Sequence, residues 1–170
     1  MDLAELIRDV PDFPVKGILF KDITTMIKEP QAFQKVVDIM VDRFADSKVD
    51  LVAAIESRGF IFGAPLSYRL NAGLIPVRKP GKLPAEKLSE SYTLEYGVNT
   101  LEMHQDAIEP GQRVLIVDDL LATGGSAKAA ANLVERLGGE VVALAFVIEL
   151  DFLHGRDKLT GYEVFTLIHF

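Results

Sequence analysis

The sequence predicts an α/β fold, with a central, mostly parallel sheet flanked by helices. Three observations predict it. Strand and helix signals alternate along the chain, which implies crossover connections between parallel strands. The strand signals are short continuous apolar runs, as expected of strands buried on both faces. A length of 170 residues suits one domain spanning 1–170, and no repeat, low-complexity tract or linker divides it.

The elements follow in order. In "PQAFQKVVDIMVDRFAD", Phe33, Val36, Val37, Met40, Val41 and Phe44 recur at spacings of three and four, the mark of an amphipathic helix. "VDLVAAIES" is then a buried strand, "GFIFGAPLSYRL" a helix and "GLIPVRK" a second strand. The basic run "VRKPGKLPAEK", with two prolines and a glycine, reads as a mobile charged loop, in its plainest form a solvated one. Alternation in "SYTLEYG" and "NTLEMH" predicts a pair of more exposed strands placed to frame a hood or lid. "QRVLIVDD" is a buried strand, "GSAKAAANLVERLGG" an Ala-rich helix with a glycine C-cap signal, and "EVVALAFVIEL" another buried strand. Ligand sites in such sheets lie at the carboxyl ends of the strands.

Composition narrows the function classes. A formal net charge of −7 disfavours a broad nucleic-acid-binding face, which needs clustered Lys and Arg. No apolar run reaches the roughly 20 residues of a membrane span. The opening "MDLAELIRDV" has neither a basic stretch nor a small-residue cleavage site, and the chain has no cysteine, so a cytoplasmic protein without disulfides or thiol chemistry is expected. His104, His154 and His169 share no ligand-like spacing and read as surface or core residues.

The densest chemistry lies in "VLIVDDLLATGGS". Asp118 and Asp119 fall at a strand end, and Ala122, Thr123, Gly124, Gly125 and Ser126 open the next helix. Such a turn aims backbone N–H groups and two hydroxyls at an anion, which suits a phosphate monoester. The P-loop pattern and the G-x-G-x-x-G pattern are both absent, and Lys128 comes too late to replace a P-loop lysine. The phosphate is therefore a handle and not the reacting centre. Carboxylates accept hydrogen bonds from a sugar diol and also hold water-bound Mg²⁺, so the aspartates fit a ribose next to the phosphate. The plainer alternative is that they cap the helix.

A buried strand followed by "VDDLLATGGS" resembles the phosphoribosyl pyrophosphate motif of the type I phosphoribosyltransferases. "PDFPVKGILFKDIT", "ESRGFIFGAPL", "RKPGKLP", "SYTLEYG" and "ELDFLHGRDKL" are similar to segments of the members that act on adenine, and the resemblance covers nearly the whole chain. It implies purine salvage by glycosyl transfer: adenine and phosphoribosyl pyrophosphate give AMP and diphosphate with Mg²⁺ present. It also implies a hood over roughly 1–30, a lid loop over roughly 78–96 and a homodimer, with no nucleic-acid or membrane partner.

Residue by residue, the resemblance puts the ribose 5-phosphate on Asp118, Asp119 and Ala122 to Ser126. The diphosphate falls to Glu56, Ser57, Arg58, Arg78, Lys79 and Lys82; the alternative for Arg58 is an ion pair bracing the strand end. Mg²⁺ rides on the donor diphosphate, reaching Asp118 and Asp119 through water, with no direct protein ligand assigned. Glu95 is the implied catalytic base and Tyr96 helps close the lid, although on spacing alone Glu95 is a solvent-facing strand residue. Leu19, Phe20 and Lys21 take the adenine, with Leu150 on its apolar side or in the core. Two other readings stay open at this stage: a phosphoribosyltransferase for a different purine base, and a non-catalytic sensor of phosphoribosyl pyrophosphate.

Overall fold

The strongest apolar runs of the sequence become one five-stranded sheet. In the computed structural model, which describes residues 1–94 and 96–170, this sheet has the order β4-β3-β7-β8-β9, and every pairing is parallel. Its strands are β3 (Leu51–Ile55), β4 (Gly73–Val77), β7 (Arg113–Leu121), β8 (Glu140–Glu149) and β9 (Val164–His169). Two compact units contribute elements, Met1–Ile39 and Met40–Phe170.

The first unit holds β1 (Arg8–Pro11) and β2 (Leu19–Asp22), a short antiparallel hairpin pairing Asp9 with Lys21 and Val10 with Phe20. An Arg8–Asp22 ion pair of 2.5 Å closes its open end, and Phe13 meets Phe20 edge-on at 5.1 Å. After it come α1 (Thr24–Ile27) and α2 (Pro30–Phe44), which runs into the second unit. Five of the six apolar positions expected on α2 are buried, and Phe33 is half-buried. The hairpin has no counterpart in the sequence-based prediction, because its strands are only four residues long and mostly exposed.

In the second unit, α3 (Arg58–Arg69) follows β3, and α4 (Gly125–Arg136) follows β7. The hairpin β5 (Lys87–Thr93) and β6 (Val98–His104) is antiparallel, as alternation predicts. It is less exposed than expected: Leu101 and Met103 are buried in the core formed by β3, β4, β7, β8 and α4. The expected glycine cap ends α4, where the Gly138 and Gly139 amides donate to the carbonyls of Glu135 and Val134. β7 runs two residues past Asp119, because Leu120 and Leu121 continue its pairing with Ile148 and Glu149. β9 is an additional edge strand, only partly buried and hence without a continuous apolar run.

Strand order positions the site. From β3 the chain crosses to β4 on one side, and the later β7 pairs on the other side of β3. The connections after β3 and β7 therefore diverge, leaving a crevice beyond their carboxyl ends. Glu56 to Arg58 follow β3 there, Asp118 and Asp119 lie near the end of β7, and Ala122 to Ser126 follow it.

Candidate active site

α3 approaches β7 closely because residue 59 has no side chain. A Cβ on Gly59 would lie 3.0 Å from the Val117 carbonyl oxygen and 3.1 Å from Asp118 Oδ1. That approach brings the preceding Arg58 to Asp119: Arg58 Nε donates to Asp119 Oδ2 at 2.5 Å, and the Asp119 side chain is 6% exposed. The strand-bracing ion pair considered for Arg58 is thus formed, and it leaves Arg58 on the wall of the crevice.

Among the described residues, no ion pair is formed with Asp118 itself. Its Oδ1 accepts the Asp119 amide at 2.8 Å. Burial, reinforced by the neighbouring Asp119 charge, pushes the Asp118 carboxyl well above the usual carboxylate range, and Arg58 offsets this only in part. Such a carboxyl gains from any ligand that brings donors or positive charge.

A cavity of about 310 Å³ joins these parts. Glu56, Ser57, Arg58 and Lys79 line one side, and Asp118, Asp119, Ala122 and Ser126 the other. The turn is shaped by Gly124, whose φ of +87° lies in the left-handed region. The first helical amides of α4 point out of its N-terminus, since an α-helix gives them no internal acceptor. Thr123 and Gly124 face an adjoining cavity of about 170 Å³ bounded by Tyr92, Leu94 and Phe146.

Two of the cations expected on the diphosphate, Arg78 and Lys82, pair with Glu56, and the backbone of Lys79 joins them. Glu56 Oε1 accepts Arg78 Nε at 3.2 Å and the Lys79 amide at 2.7 Å, while Oε2 accepts Lys82 Nζ at 2.7 Å. Burial works to raise the Glu56 pKa, but the bonds from Lys82 and Lys79 and the charges of Lys82 and Arg78 bring it below the ordinary value. The basic run is also anchored to β6. Arg78 exchanges both backbone bonds with Glu102, whose buried carboxylate accepts the Gly81 amide at 3.0 Å and the Ser89 hydroxyl at 2.8 Å. Two acids distant in sequence thus accept hydrogen bonds from the segment expected to be a mobile loop.

The remaining predicted residues belong to several elements. Leu19, Phe20 and Lys21 form most of β2 in the first unit, with Lys21 Nζ 2.5 Å from Asp9. Leu150 follows β8 in the second unit and donates its amide to the Leu121 carbonyl at 3.0 Å. Tyr96 is 88% exposed, and Glu95 lies outside the described residues.

Glu149, Asp151 and His169 bring ligand-type atoms within 4.8 Å of one another, a grouping their spacing does not suggest. Glu149 is already committed. Arg156 grips it through Nε at 2.8 and 3.0 Å and through Nη2 at 2.9 Å, and the Thr166 hydroxyl donates to it at 2.8 Å. With an arginine on its central carboxylate, the group is a poor cation site. Gly155 and Arg156 are marked in the sequence only by the "HGRD" of a matching segment.

Comparison with known proteins supplies independent findings. Residues 24–168 match the family model described as phosphoribosyl transferase domain. An adenine phosphoribosyltransferase of Solibacter usitatus is 60% identical over 169 residues, covering 99% of this chain and 98% of that protein. The crystal structure of adenine phosphoribosyltransferase from Thermoanaerobacter pseudethanolicus has a TM-score of 0.96 at 56% identity, covering 99% and 100% of the two chains. That of Saccharomyces cerevisiae, complexed with an imino-altritol bisphosphate and adenine, has a TM-score of 0.91 at 44% identity, covering 97% and 96%.

Proposed function

The chain belongs to the phosphoribosyl transferase domain family, and on that premise we propose that it transfers ribose 5-phosphate from phosphoribosyl pyrophosphate to adenine, forming AMP and diphosphate. One observation carries the reading: a single cavity joins the β3–α3 turn, with Arg58 and Lys79, to the two aspartates and to Ala122 and Ser126 of the small-residue turn. A ligand bearing a phosphate at one end, a diol in the middle and a polyanion at the other finds complementary groups in that order.

In this reading the 5-phosphate sits at Ala122 to Ser126 and the ribose hydroxyls on Asp118 and Asp119. The diphosphate takes the Ser57–Arg58 turn and Lys79, and draws Arg78 and Lys82 from Glu56. Transfer breaks the bond from the anomeric carbon to the diphosphate oxygen and forms one to a ring nitrogen of adenine. The cations stabilise charge developing on the leaving group, and water must be kept from the cationic sugar. Leu19, Phe20, Lys21 and Leu150 receive the base, and Tyr96 belongs to the closing lid. Glu95 takes the proton lost from the base.

The oxygen donors of Asp118 and Asp119 fit Mg²⁺, a hard cation, through its water shell, with the donor diphosphate as its principal ligand. When bound, Mg²⁺ neutralises part of the diphosphate charge. A homodimer and a cytoplasmic location belong to the same reading, on the strength of kinship with the family. Among the described residues no helix is long and apolar enough to cross a membrane.

Purified protein with Mg²⁺, phosphoribosyl pyrophosphate and adenine is expected to form AMP and release diphosphate, with little turnover of hypoxanthine or guanine in competition. Equal turnover of hypoxanthine would overturn the assignment of the base. Glu95→Gln is expected to lower turnover by about 10²-fold or more while changing donor affinity little, since a general base acts in the transition state. Unaltered turnover in that variant removes Glu95 from the chemistry.

A further inference from the structure

The small-residue turn is moulded against a distant piece of chain. A Cβ on Gly124 would lie 2.5 Å from the Gly155 carbonyl oxygen, and one on Gly155 would lie 2.4 Å from that of Ala122. Two backbones meet here with no side chain between them, and both glycines are buried. The Leu150 amide holds the adjacent Leu121 carbonyl at 3.0 Å, so the segment after β8 touches the exit of β7 at two places. Close-packed backbone of this kind transmits a shift in one segment directly to the other.

What holds Gly155 in place is its neighbour. Arg156 forms its fork with the buried Glu149 at the end of β8, and it also donates to the Thr166 hydroxyl at 3.0 Å and the Val164 carbonyl at 3.3 Å, both on β9. Three bonds to one carboxylate leave little rotational freedom at residue 156, and Leu159 pins the far end of the segment in the core. Among the described residues, the hydrogen-bond partners of Arg156 are Glu149, Val164 and Thr166, outside the turn and the cavity, so its effect on a ligand there passes through Gly155.

We infer that Arg156, anchored by Glu149, is a positioning residue that sets the phosphate-binding turn through the Gly155–Gly124 backbone contact. This rests on the reading of Ala122 to Ser126 as the 5-phosphate cradle and goes beyond it, because it assigns the cradle's shape to an ion pair at the end of the neighbouring strand β8. The fork geometry, not the positive charge alone, is what matters. Lysine keeps the charge but presents a single ammonium to Glu149, and so restores the position only in part.

The test uses two probes on the intact protein, AMP, which carries the 5-phosphate, and inorganic diphosphate, which does not. Calorimetric titration is expected to show Gly155→Ala weakening AMP about tenfold or more while diphosphate affinity stays within about twofold, because only the cradle is displaced. Arg156→Ala is expected to act in the same direction, with Arg156→Lys in between. In steady state, the KM for phosphoribosyl pyrophosphate rises more than kcat falls. Should Arg156→Ala fail to fold, Gly155→Ala and Arg156→Lys decide the matter. AMP affinity at the wild-type level in both of those variants, or parallel loss of AMP and diphosphate, overturns the inference. Failure of the wild-type protein to bind AMP refutes the phosphate reading itself, and this inference with it.

Discussion

Alanine in place of Gly124 is expected to cost the protein both stability and nearly all of its efficiency with phosphoribosyl pyrophosphate. Two separate physical costs coincide at this residue. Its φ of +87° is a conformation that side chains disfavour, at about 1–3 kcal/mol. The added Cβ would also lie 2.5 Å from the Gly155 carbonyl oxygen, closer than non-bonded atoms pack. Backbone cannot rotate away as a flexible side chain can, so the turn itself must shift. A displacement near 1 Å in a positioning element costs about 10²-fold in rate, and that is the expected fall in kcat/KM for the donor. Thermal unfolding is expected to drop by roughly 2–4 °C for each kcal/mol lost in a chain of this size. Gly161→Ala separates the two costs, because Gly161 has a φ of +90° and nothing within 4 Å of its absent Cβ. If Gly124→Ala matches Gly161→Ala in donor kinetics, the turn does not hold the phosphate.

That comparison also shows what the sequence made legible. Gly124 stands out in "ATGGS" because a strand ends and a helix begins around it, both evident from local periodicity. The partner that makes Gly124 indispensable, Gly155, carries no such mark. It becomes visible only when β7 and β8 are seen to lie side by side. The same holds for Arg58 and Asp119, which are 61 residues apart and meet because β3 and β7 are sheet neighbours. Strand runs reveal that a parallel sheet exists, but strand order is set by tertiary packing and leaves no periodic trace. The basic run illustrates the converse. Its prolines and charges read locally as a mobile loop, whereas Glu56, just past the end of β3, and Glu102, within β6, supply acceptors for it. Elements that bury little, such as β1, β2 and β9, left the weakest signal, because an apolar run is the mark of a buried strand and not of an exposed one.

Asp118→Asn is expected to make the protein more stable and a poorer binder of the donor. In the free protein the Asp118 carboxyl suffers from burial and from the charge of Asp119, and its pKa stands well above the usual range. A group whose folded-state pKa exceeds its unfolded value binds more protons in the folded state, so folding stability falls as pH rises between the two values. The penalty is absent below the unfolded carboxylate value of about 3.9, grows above it and is complete once pH passes the folded value. Asparagine keeps an oxygen for the Asp119 amide, which Asp118 Oδ1 accepts at 2.8 Å, and carries no charge to bury. The stability margin of the variant over the wild type is therefore expected to open as pH climbs from about 4 and then to level off, read by thermal unfolding across pH. Binding moves the other way. A hydroxyl donating to a charged acceptor contributes about 1.5–3 kcal/mol, so losing the charge is expected to weaken the donor by about tenfold or more. Opposite signs in the two measurements identify a carboxylate held at a cost for its ligand. If the variant is no more stable at neutral pH, the burial and repulsion assigned to Asp118 are wrong. If it binds the donor as the wild type does, the sugar hydroxyls do not rest there.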